Sequence, residues 1–589
     1  MKVVVAFFLL LIVGVGAWFM MSSKPTQADF IVIAGNDVDT LDPQAASWLV
    51  DFRVIGCMFE PLLSVDPKTM KLGAGAADKW EISEDQLTYT FHIRESAKWS
   101  NGDPLTAHDY IYAWSRAIIP DYNSSYFSLH MHIKGAKAVA DRRRADLAAY
   151  AAAQKDFAEK KIETAPMTPK ELWAKTRKDF DENVGLKAKD DKTLIVTLER
   201  PVTYYLDIIA FDTYVPVHKK SVEATETFEA DGRVVSKAGY FSDPASIITN
   251  GAYVLKERNF KEYTLLTANP HYWDRANMGN ESIMFRVIES ENTQLLEYQA
   301  GNAHWLPDIP TSSSLAADLA KQQKEGKRKD VHVEGGAGTY FYHFNCQPMV
   351  KGEKNPMADP RVRRALSMAI DRKTIVEQVT RLNQPIARTM TPLGLGMAGY
   401  EPPVEAGVEF DPIGAKALLA EAGYPDGKGF PQNLKIMYNT GAGHEMIAQP
   451  IQQDWEKYLG IKVALEGVEK NRAMEMRRNR EFAVARGGWY GDYPDPTTFL
   501  EQHITNDGQN HSGYSNPKYD DLYIQAGKET DPVKRNALLR EAETLLLQEQ
   551  PIAPIYQYIH LNLYDKTKVE NLNTNPWNYR ALHQVKVRR

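Results

Sequence analysis

Residues 434–485 read LKIMYNTGAGHEMIAQPIQQDWEKYLGIKVALEGVEKNRAMEMRRNREFAVA, with three short apolar runs separated by two helical segments. The pattern predicts strands over 434–438, 461–465 and 482–485. It also predicts one helix that ends near Gly460 and a basic helix over 471–478. Strands that alternate with helices of this length predict an α/β unit with a largely parallel sheet. Such sheets bind ligands beyond the carboxyl ends of their strands, so the residues after Ala485 are a candidate site.

The segment that follows, RGGWYGDYPDP at 486–496, combines three glycines, three aromatic residues and acidic side chains. Glycines let a foreign backbone approach closely. Aromatic rings provide apolar walls, and a charged group can hold one polar end of a ligand. We interpret the segment as a loop. On composition alone it is either a ligand-binding loop or a structural turn.

The remainder of the chain also alternates strands and helices. Strands are predicted over 30–34, 87–93 and 193–198, and Asp-Pro pairs at 359–360 and 411–412 predict helix starts. The segment 138–183 is rich in Ala and charged residues and carries a capping box at 168–171. We predict a helical hairpin there, and we favour a solvated surface role over a partner-docking role.

The overall composition excludes some classes of function. The 589 residues are 43% hydrophobic and 25% charged, with a net charge of −6, as in soluble globular proteins. This mild charge gives no reason to expect nucleic acid as a partner. Cys57 and Cys346 cannot form a disulfide framework or a cysteine zinc site, so we expect two separate buried thiols.

The N-terminal residues 1–28 have the composition of an export signal. Met1 and Lys2 precede an uncharged apolar run over 3–21, and a polar segment follows. The run is near the length of a membrane-spanning helix. Cleavage after Ala28 and an uncleaved membrane anchor both remain open, and we favour the anchor. No cysteine follows the run, which excludes a lipid anchor. Either way we expect the rest of the chain to lie outside the cytoplasm.

Motifs typical of catalysis lack their structural context. The run GLGMAG at 394–399 matches a dinucleotide fingerprint, but the flanking prolines preclude the required strand and helix. His444 and Glu445 resemble the start of a zinc helix, but Ala448 occupies the position of the second ligand. No nucleophile elbow or phosphate loop occurs. We therefore expect no enzyme activity, no cofactor and no metal.

A series of short motifs carries a resemblance to a known family. The chain resembles the family 5 extracytoplasmic solute-binding proteins, and is most similar to the oligopeptide-binding receptors of bacterial ABC importers. The similarity covers nearly the whole chain after the N-terminal segment. The motifs, in order, are TLDP (40–43), MFEPL (58–62), FHIR (91–94), KWSNG (98–102), TAHDY (106–110), TNGAY (249–253), RVRRAL (361–366) and AEAGY (420–424).

The resemblance implies an α/β fold of the periplasmic-binding-protein type, with two hinged lobes and an extra domain on the first. The implied boundaries are 29–75, 191–340 and 561–589 for lobe I, 76–190 for the extra domain and 341–560 for lobe II. The implied partners are short peptides and the membrane permease of an ABC importer, with the receptor itself a monomer.

The same resemblance implies roles for particular residues. Asp492 would pair with the α-ammonium group of a peptide held in an extended conformation by backbone hydrogen bonds. Arg486 and His444 would meet a peptide carboxylate, and Trp489 and Tyr126 would line side-chain pockets. The backbone contacts would come from one segment in each lobe: Gly488, Trp489 and Tyr490, and Leu49, Val50 and Asp51.

Three positions depart from the family pattern and leave peptide length and side-chain preference open. Ser47 stands where an acidic pocket residue can occur, Lys470 replaces an aromatic wall residue, and Thr380 replaces a basic carboxylate partner. Other functions also remain open: the same fold with a sugar, metal chelate or haem-like ligand, a peptide hydrolase, and a sensor or chaperone-like binder.

Overall fold

The computed structural model describes residues 28–588 except positions 238, 312 and 442. The predicted signal or anchor over residues 1–28 lies outside this range, apart from Ala28 itself. Among the described residues, no helix is both long and apolar enough to cross a membrane.

A ten-stranded mixed sheet runs through the molecule. Phe30–Ala34 is a strand, as predicted, and it pairs in parallel with Ser282–Val287 and Trp305–Leu306. The strand order is Tyr253–Asn259, Tyr263–Ala268, Ser282–Val287, Phe30–Ala34, Trp305–Leu306, Ile552–Tyr564, Val331–Phe344, Val484–Tyr490, Lys435–Asn439 and Ala464–Val468.

Two long antiparallel strands, Val331–Phe344 and Ile552–Tyr564, connect the two halves of this sheet. Their register shifts at two points, between Gly335 and Thr339 and between Tyr340 and Phe341. A separate hydrophobic core lies on each side, one around Phe30 and Trp305 and another around Ile436 and Ile555. The molecule therefore has two lobes that share two central strands, which confirms the predicted fold class.

The sheet of the second lobe confirms the parallel arrangement and corrects two strand boundaries. Lys435–Asn439 pairs in parallel with Ala464–Val468 and with the start of Val484–Tyr490. The second strand begins at residue 464, three residues later than predicted. The third continues to Tyr490, so the prediction of a loop directly after residue 485 was wrong. The reason is antiparallel pairing of the whole strand with Val331–Phe344.

Helices cover both lobes. Two of them begin at the predicted caps Asp359 and Asp411, whose side chains accept hydrogen bonds from the backbone N–H groups of Arg361 and Gly414. The helices of the first lobe and its inserted unit are Leu49–Met58, Ala107–Ile118, Phe127–His130, Ala136–Ala158, Pro169–Asn183, Tyr205–Ile209, Lys219–Glu223, Glu291–Gln299 and Ser314–Lys324. Those of the second lobe are Pro360–Met368, Arg372–Thr374, Pro412–Glu421, His444–Asp454, Lys470–Arg478, Thr497–Leu500, Pro517–Ala526 and Pro532–Glu549.

A second, four-stranded antiparallel sheet belongs to the inserted unit of the first lobe. Its order is Ala77–Ile82, Thr88–Ile93, Thr193–Thr197 and Leu186–Asp190. The predicted boundary at residue 190 falls inside the hairpin formed by the last two strands, so a division there would separate paired strands. Residues 138–183 form the predicted helical hairpin, and the capping box of Thr168 and Glu171 is present.

Candidate ligand-binding cleft

The residues beyond strand Val484–Tyr490 bring Asp492 to the boundary between the lobes. Its backbone N–H donates to Thr498 Oγ1 over 3.1 Å, which fixes the turn. Its carboxylate accepts from the hydroxyl of Tyr126 in the first lobe, over 3.3 Å. Within the described residues no cation forms an ion pair with this carboxylate, and burial raises its pKa to about 7. Asp492 is therefore a half-buried carboxylate without a cationic partner in the described part of the chain.

Aromatic residues of both lobes adjoin Asp492, in space or along the chain. Tyr126 packs edge-on against Phe211 at 5.0 Å and lies 5.8 Å from Phe52. Tyr490 is 45% exposed and stacks on Tyr558 at 4.4 Å. Such rings provide the apolar surface that is typical of ligand sites.

Trp489 packs against a hydrophobic cluster that includes Phe341 and Phe499. The side chain is half-buried, and its indole N–H has no hydrogen-bond partner among the described residues. An unpaired buried donor is unusual in a folded protein, so this N–H is available to a ligand oxygen or to water.

A basic group lies near the other end of the same strand. Arg486 donates to the hydroxyl of Tyr558 over 2.8 Å, and its guanidinium lies 4.8 Å from the ring centre of Tyr340. The Tyr340 hydroxyl in turn lies 3.2 Å from Nδ1 of His444. The structure thus brings Arg486 and His444 together. Burial and the nearby arginine lower the pKa of His444 to about 3, which leaves its imidazole neutral.

Arg477 joins this basic group, although no sequence motif pointed to it. It donates to the carbonyl oxygen of Arg486 over 3.3 Å, and burial, then Arg486, lowers its pKa to about 10. Neither arginine forms an ion pair with a carboxylate in the described part of the chain. The available sequence signal was helical spacing, because Arg477 lies four residues after the buried Ala473 and next to the buried Met476.

The segment Leu49–Asp51 has a different conformation from the extended one that strand-like ligand contacts require. It forms the first turn of helix Leu49–Met58, where acidic Asp51 is favourable. Asp51 accepts from the backbone N–H of Asp39 over 2.8 Å, and burial raises its pKa to about 6. Leu49 and Val50 therefore present the amides of a helix start, not a strand edge.

The three departures from the family pattern have identifiable positions. Lys470 places its ammonium 3.1 Å from the ring centre of Trp48 in the other lobe, a cation–π contact across the cleft. Thr380 is buried and donates to Gln384 over 2.6 Å, so its hydroxyl is used within the lobe. Ser47 is exposed.

A further contact closes the cleft at its edge. Tyr204 of the first lobe stacks on Tyr493 of the second, with ring centres 5.1 Å apart and planes nearly parallel. Arg535 lies over Tyr204 and forms a buried two-point ion pair with Asp495. The Tyr204–Tyr493 stack, the Tyr126–Asp492 hydrogen bond and the Lys470–Trp48 contact each join the two lobes. The lobes are therefore in a closed arrangement.

Other sequence features lie apart from the cleft. The glycine run at 394–399 ends in a single turn, Met397–Gly399, without the flanking strand and helix that a dinucleotide site needs. No cluster of three or more metal-binding side chains occurs in the described ranges. Cys57 and Cys346 are free; the first is buried and the second half-buried.

Comparison with known proteins places this cleft in context. The profile of the bacterial extracellular solute-binding proteins, family 5, matches residues 71–511. The periplasmic murein peptide-binding protein MppA of Escherichia coli is 32% identical over 523 residues, covering 88% of this chain and 86% of that protein. The oligopeptide-binding protein OppA of Bacillus subtilis is 33% identical over 529 residues, covering 88% and 85%.

Comparison with solved structures also finds peptide-binding proteins that are similar over nearly the whole chain. The murein tripeptide binding protein of E. coli superimposes with a TM-score of 0.76 at 30% identity, covering 95% of this chain and 98% of the other. Haemophilus influenzae OppA, solved in complex with the peptide RPPGFSPFR, superimposes with a TM-score of 0.74 at 27% identity, covering 96% and 100%. The chain therefore belongs to the bacterial extracellular solute-binding proteins of family 5, whose members are extracytoplasmic binding proteins.

Proposed function

We propose that the protein captures short peptides outside the cytoplasm and delivers them to the permease of an ABC importer. The observation that carries this proposal is that two side chains of opposite charge, each without an ion-pair partner in the described residues, lie six residues apart, one in strand Val484–Tyr490 and one just beyond it. Asp492 has no cationic partner and Arg486 has no anionic partner among the described residues, whereas a free peptide brings one charge of each sign. The peptides for which the relatives are named, and the peptide in the H. influenzae complex, support the same ligand class.

The strand between these charges has an edge available for a ligand. Val484–Tyr490 pairs along its whole length with Val331–Phe344, but its other edge pairs only at Val484 and Ala485. The carbonyl oxygen of Arg486 already accepts from Arg477, so we expect an added strand to pair with the backbone groups of residues 487–490 on that edge. Strand addition gives affinity through main-chain hydrogen bonds without reading side chains.

Binding requires no chemical step on the peptide. A ligand that contacts Asp492 and Arg486 in one lobe and the first-turn amides near Leu49 in the other stabilises the closed arrangement. Ordered waters in the side-chain pockets would allow broad sequence tolerance. A binder without catalysis, working as a monomer without nucleic acid, fits this arrangement better than a hydrolase does.

The remaining parts of the proposal concern organisation. We assign residues 1–28 to a signal or, preferably, an anchor that holds the receptor at the inner membrane. We propose that the chain crosses from the first lobe to the second near residue 340 and returns near residue 560, on the two long central strands.

Titration calorimetry with defined di- to pentapeptides, followed by mass spectrometry of the recovered peptides, tests the proposal. Saturable binding with the peptides recovered intact is the expected result. Cleaved peptides would indicate a hydrolase. No binding to any peptide, with heat released by a sugar or a metal chelate, would move the assignment to another ligand in the same fold.

A further inference from the structure

One face of helix Leu49–Met58 carries exposed residues at both ends of the helix. Leu49 at its start is 45% exposed, and Gly56, two turns later on the same face, is also exposed, although neighbours of Gly56 such as Ile55 and Cys57 are buried. Arg53 lies between them and forms an ion pair with Asp308, near which His560 stacks on Tyr490. The face therefore looks toward the residues that precede Asp492.

Asp212 lies against this face at Gly56. A methyl group added at Gly56 would lie 3.3 Å from one carboxylate oxygen of Asp212 and 3.5 Å from the other. Because glycine occupies the position, no side chain of the helix covers the carboxylate at this point. Asp212 itself is half-buried.

The carboxylate of Asp212 has no partner in the described part of the protein. It forms neither a hydrogen bond nor an ion pair there, and its nearest titratable neighbours, Cys57 and Tyr579, carry no charge at neutral pH. Burial alone raises its pKa to about 7. A desolvated carboxylate without a partner is costly, and this cost is typical of groups that bind a ligand.

Aromatic packing connects Asp212 to the ammonium site. Phe211, the preceding residue, contacts Phe52 and Tyr126, each at 5.0 Å between ring centres. Tyr126 donates to Asp492. Asp212 and Asp492, neither of which forms an ion pair within the described residues, are therefore connected through one aromatic cluster. The methylene groups of a long cationic side chain can pack along such a surface.

We infer that Asp212, reached over Gly56, binds a cationic side chain of the peptide and makes the receptor selective for lysine or arginine near the amino end. This inference rests on the proposed peptide-binding function and adds a side-chain preference to it. It requires no bond to be made or broken.

The test uses tetra-alanine peptides in which lysine or its uncharged analogue norleucine occupies position 1, 2 or 3, measured by calorimetry at pH 8. We expect the wild-type protein to prefer lysine at one position by at least tenfold. Asp212→Asn should reduce that preference to less than threefold while norleucine peptides bind as before. Asp243→Asn, an exposed aspartate of the same lobe, serves as the matched control and should keep the preference.

Gly56→Ala provides a second variant because alanine favours the helix and should not impair folding. We expect it to lower affinity for the lysine peptide more than for the norleucine peptide. Equal affinity of the wild type for both peptides, or a preference retained in Asp212→Asn, would overturn the inference. An equal loss for both peptides in that variant would also overturn it, since that is a structural effect. Absence of binding to every peptide would instead refute the proposed function.

Discussion

Replacing Asp492 by asparagine removes the negative charge at the proposed ammonium site while keeping the shape of the side chain. The carboxylate is half-buried, accepts a single hydrogen bond from Tyr126, and has its pKa raised to about 7 by burial. A peptide ammonium would supply the missing cation. Truncating one partner of a buried, hydrogen-bonded charge pair costs about 2–5 kcal/mol, which corresponds to roughly 30- to 5,000-fold in affinity.

Titration calorimetry at pH 7.5 on wild type and Asp492→Asn, each with a free tetrapeptide and its N-acetyl derivative, separates this interaction from general effects. Acetylation removes the ammonium charge, so the acetylated peptide should bind both proteins about equally weakly. The double-mutant cycle should give a coupling energy of at least about 1.5 kcal/mol, the low end for close charge pairs. Asp521→Asn, an exposed aspartate of the same lobe, should bind like wild type.

Binding of the free peptide to Asp492→Asn within threefold of wild type would refute the ammonium pairing. Weakening of the free and acetylated peptides by the same factor would also refute it, because the loss would then be structural. Thermal unfolding without ligand checks the fold. The variant should be at least as stable as wild type at pH 8, since a raised carboxyl pKa in the folded state means that ionisation opposes folding above that pKa.

Three further predictions concern pH, the strand edge and lobe closure. Affinity for free peptides should be greatest between about pH 7, where Asp492 ionises, and about pH 8, where a peptide ammonium loses its proton. Below pH 7 the affinity of the wild type should fall by up to tenfold per pH unit. Calorimetry on Asp492→Asn should show no such fall in affinity below pH 7. Gly488→Ala should weaken all peptides and lower the unfolding free energy by about 1–3 kcal/mol, because the added methyl overlaps the Tyr558 hydroxyl; unchanged binding and melting would contradict this. Tyr204→Ala should weaken all peptides about two- to tenfold through the lost stack on Tyr493, with small-angle scattering showing a less complete ligand-induced compaction.

Local pattern was sufficient to predict much of the second lobe. The apolar runs over 434–438 and 482–485 fall on the parallel strands Lys435–Asn439 and Val484–Tyr490, because buried parallel strands are continuous apolar segments. The run over 461–465 only overlaps the start of the more exposed edge strand Ala464–Val468. The caps at Asp359 and Asp411 were equally predictable, since a side-chain oxygen before a proline satisfies the first turn of a helix. These features depend only on neighbours in the sequence.

Features that depend on distant pairing were not predictable in this way. Residues 486–490 have the composition of a loop, yet they form a strand because Val331–Phe344, about 150 residues earlier, supplies hydrogen bonds along their whole length. Leu49–Asp51, expected to supply backbone contacts, form the first turn of a helix, which the sequence pattern did not indicate. Asp212 could not be selected from sequence, because its position depends on the absence of a side chain at Gly56 in another helix.

Native mass spectrometry of the purified extracytoplasmic part, before and after gentle denaturation, would examine the ligand class of the cleft without choosing a peptide in advance. We expect bound species whose released masses match a mixture of short peptides, with no covalent change to peptides added back. A single non-peptide mass, or no bound species even after peptides are added, would contradict the assignment of this cleft to peptides.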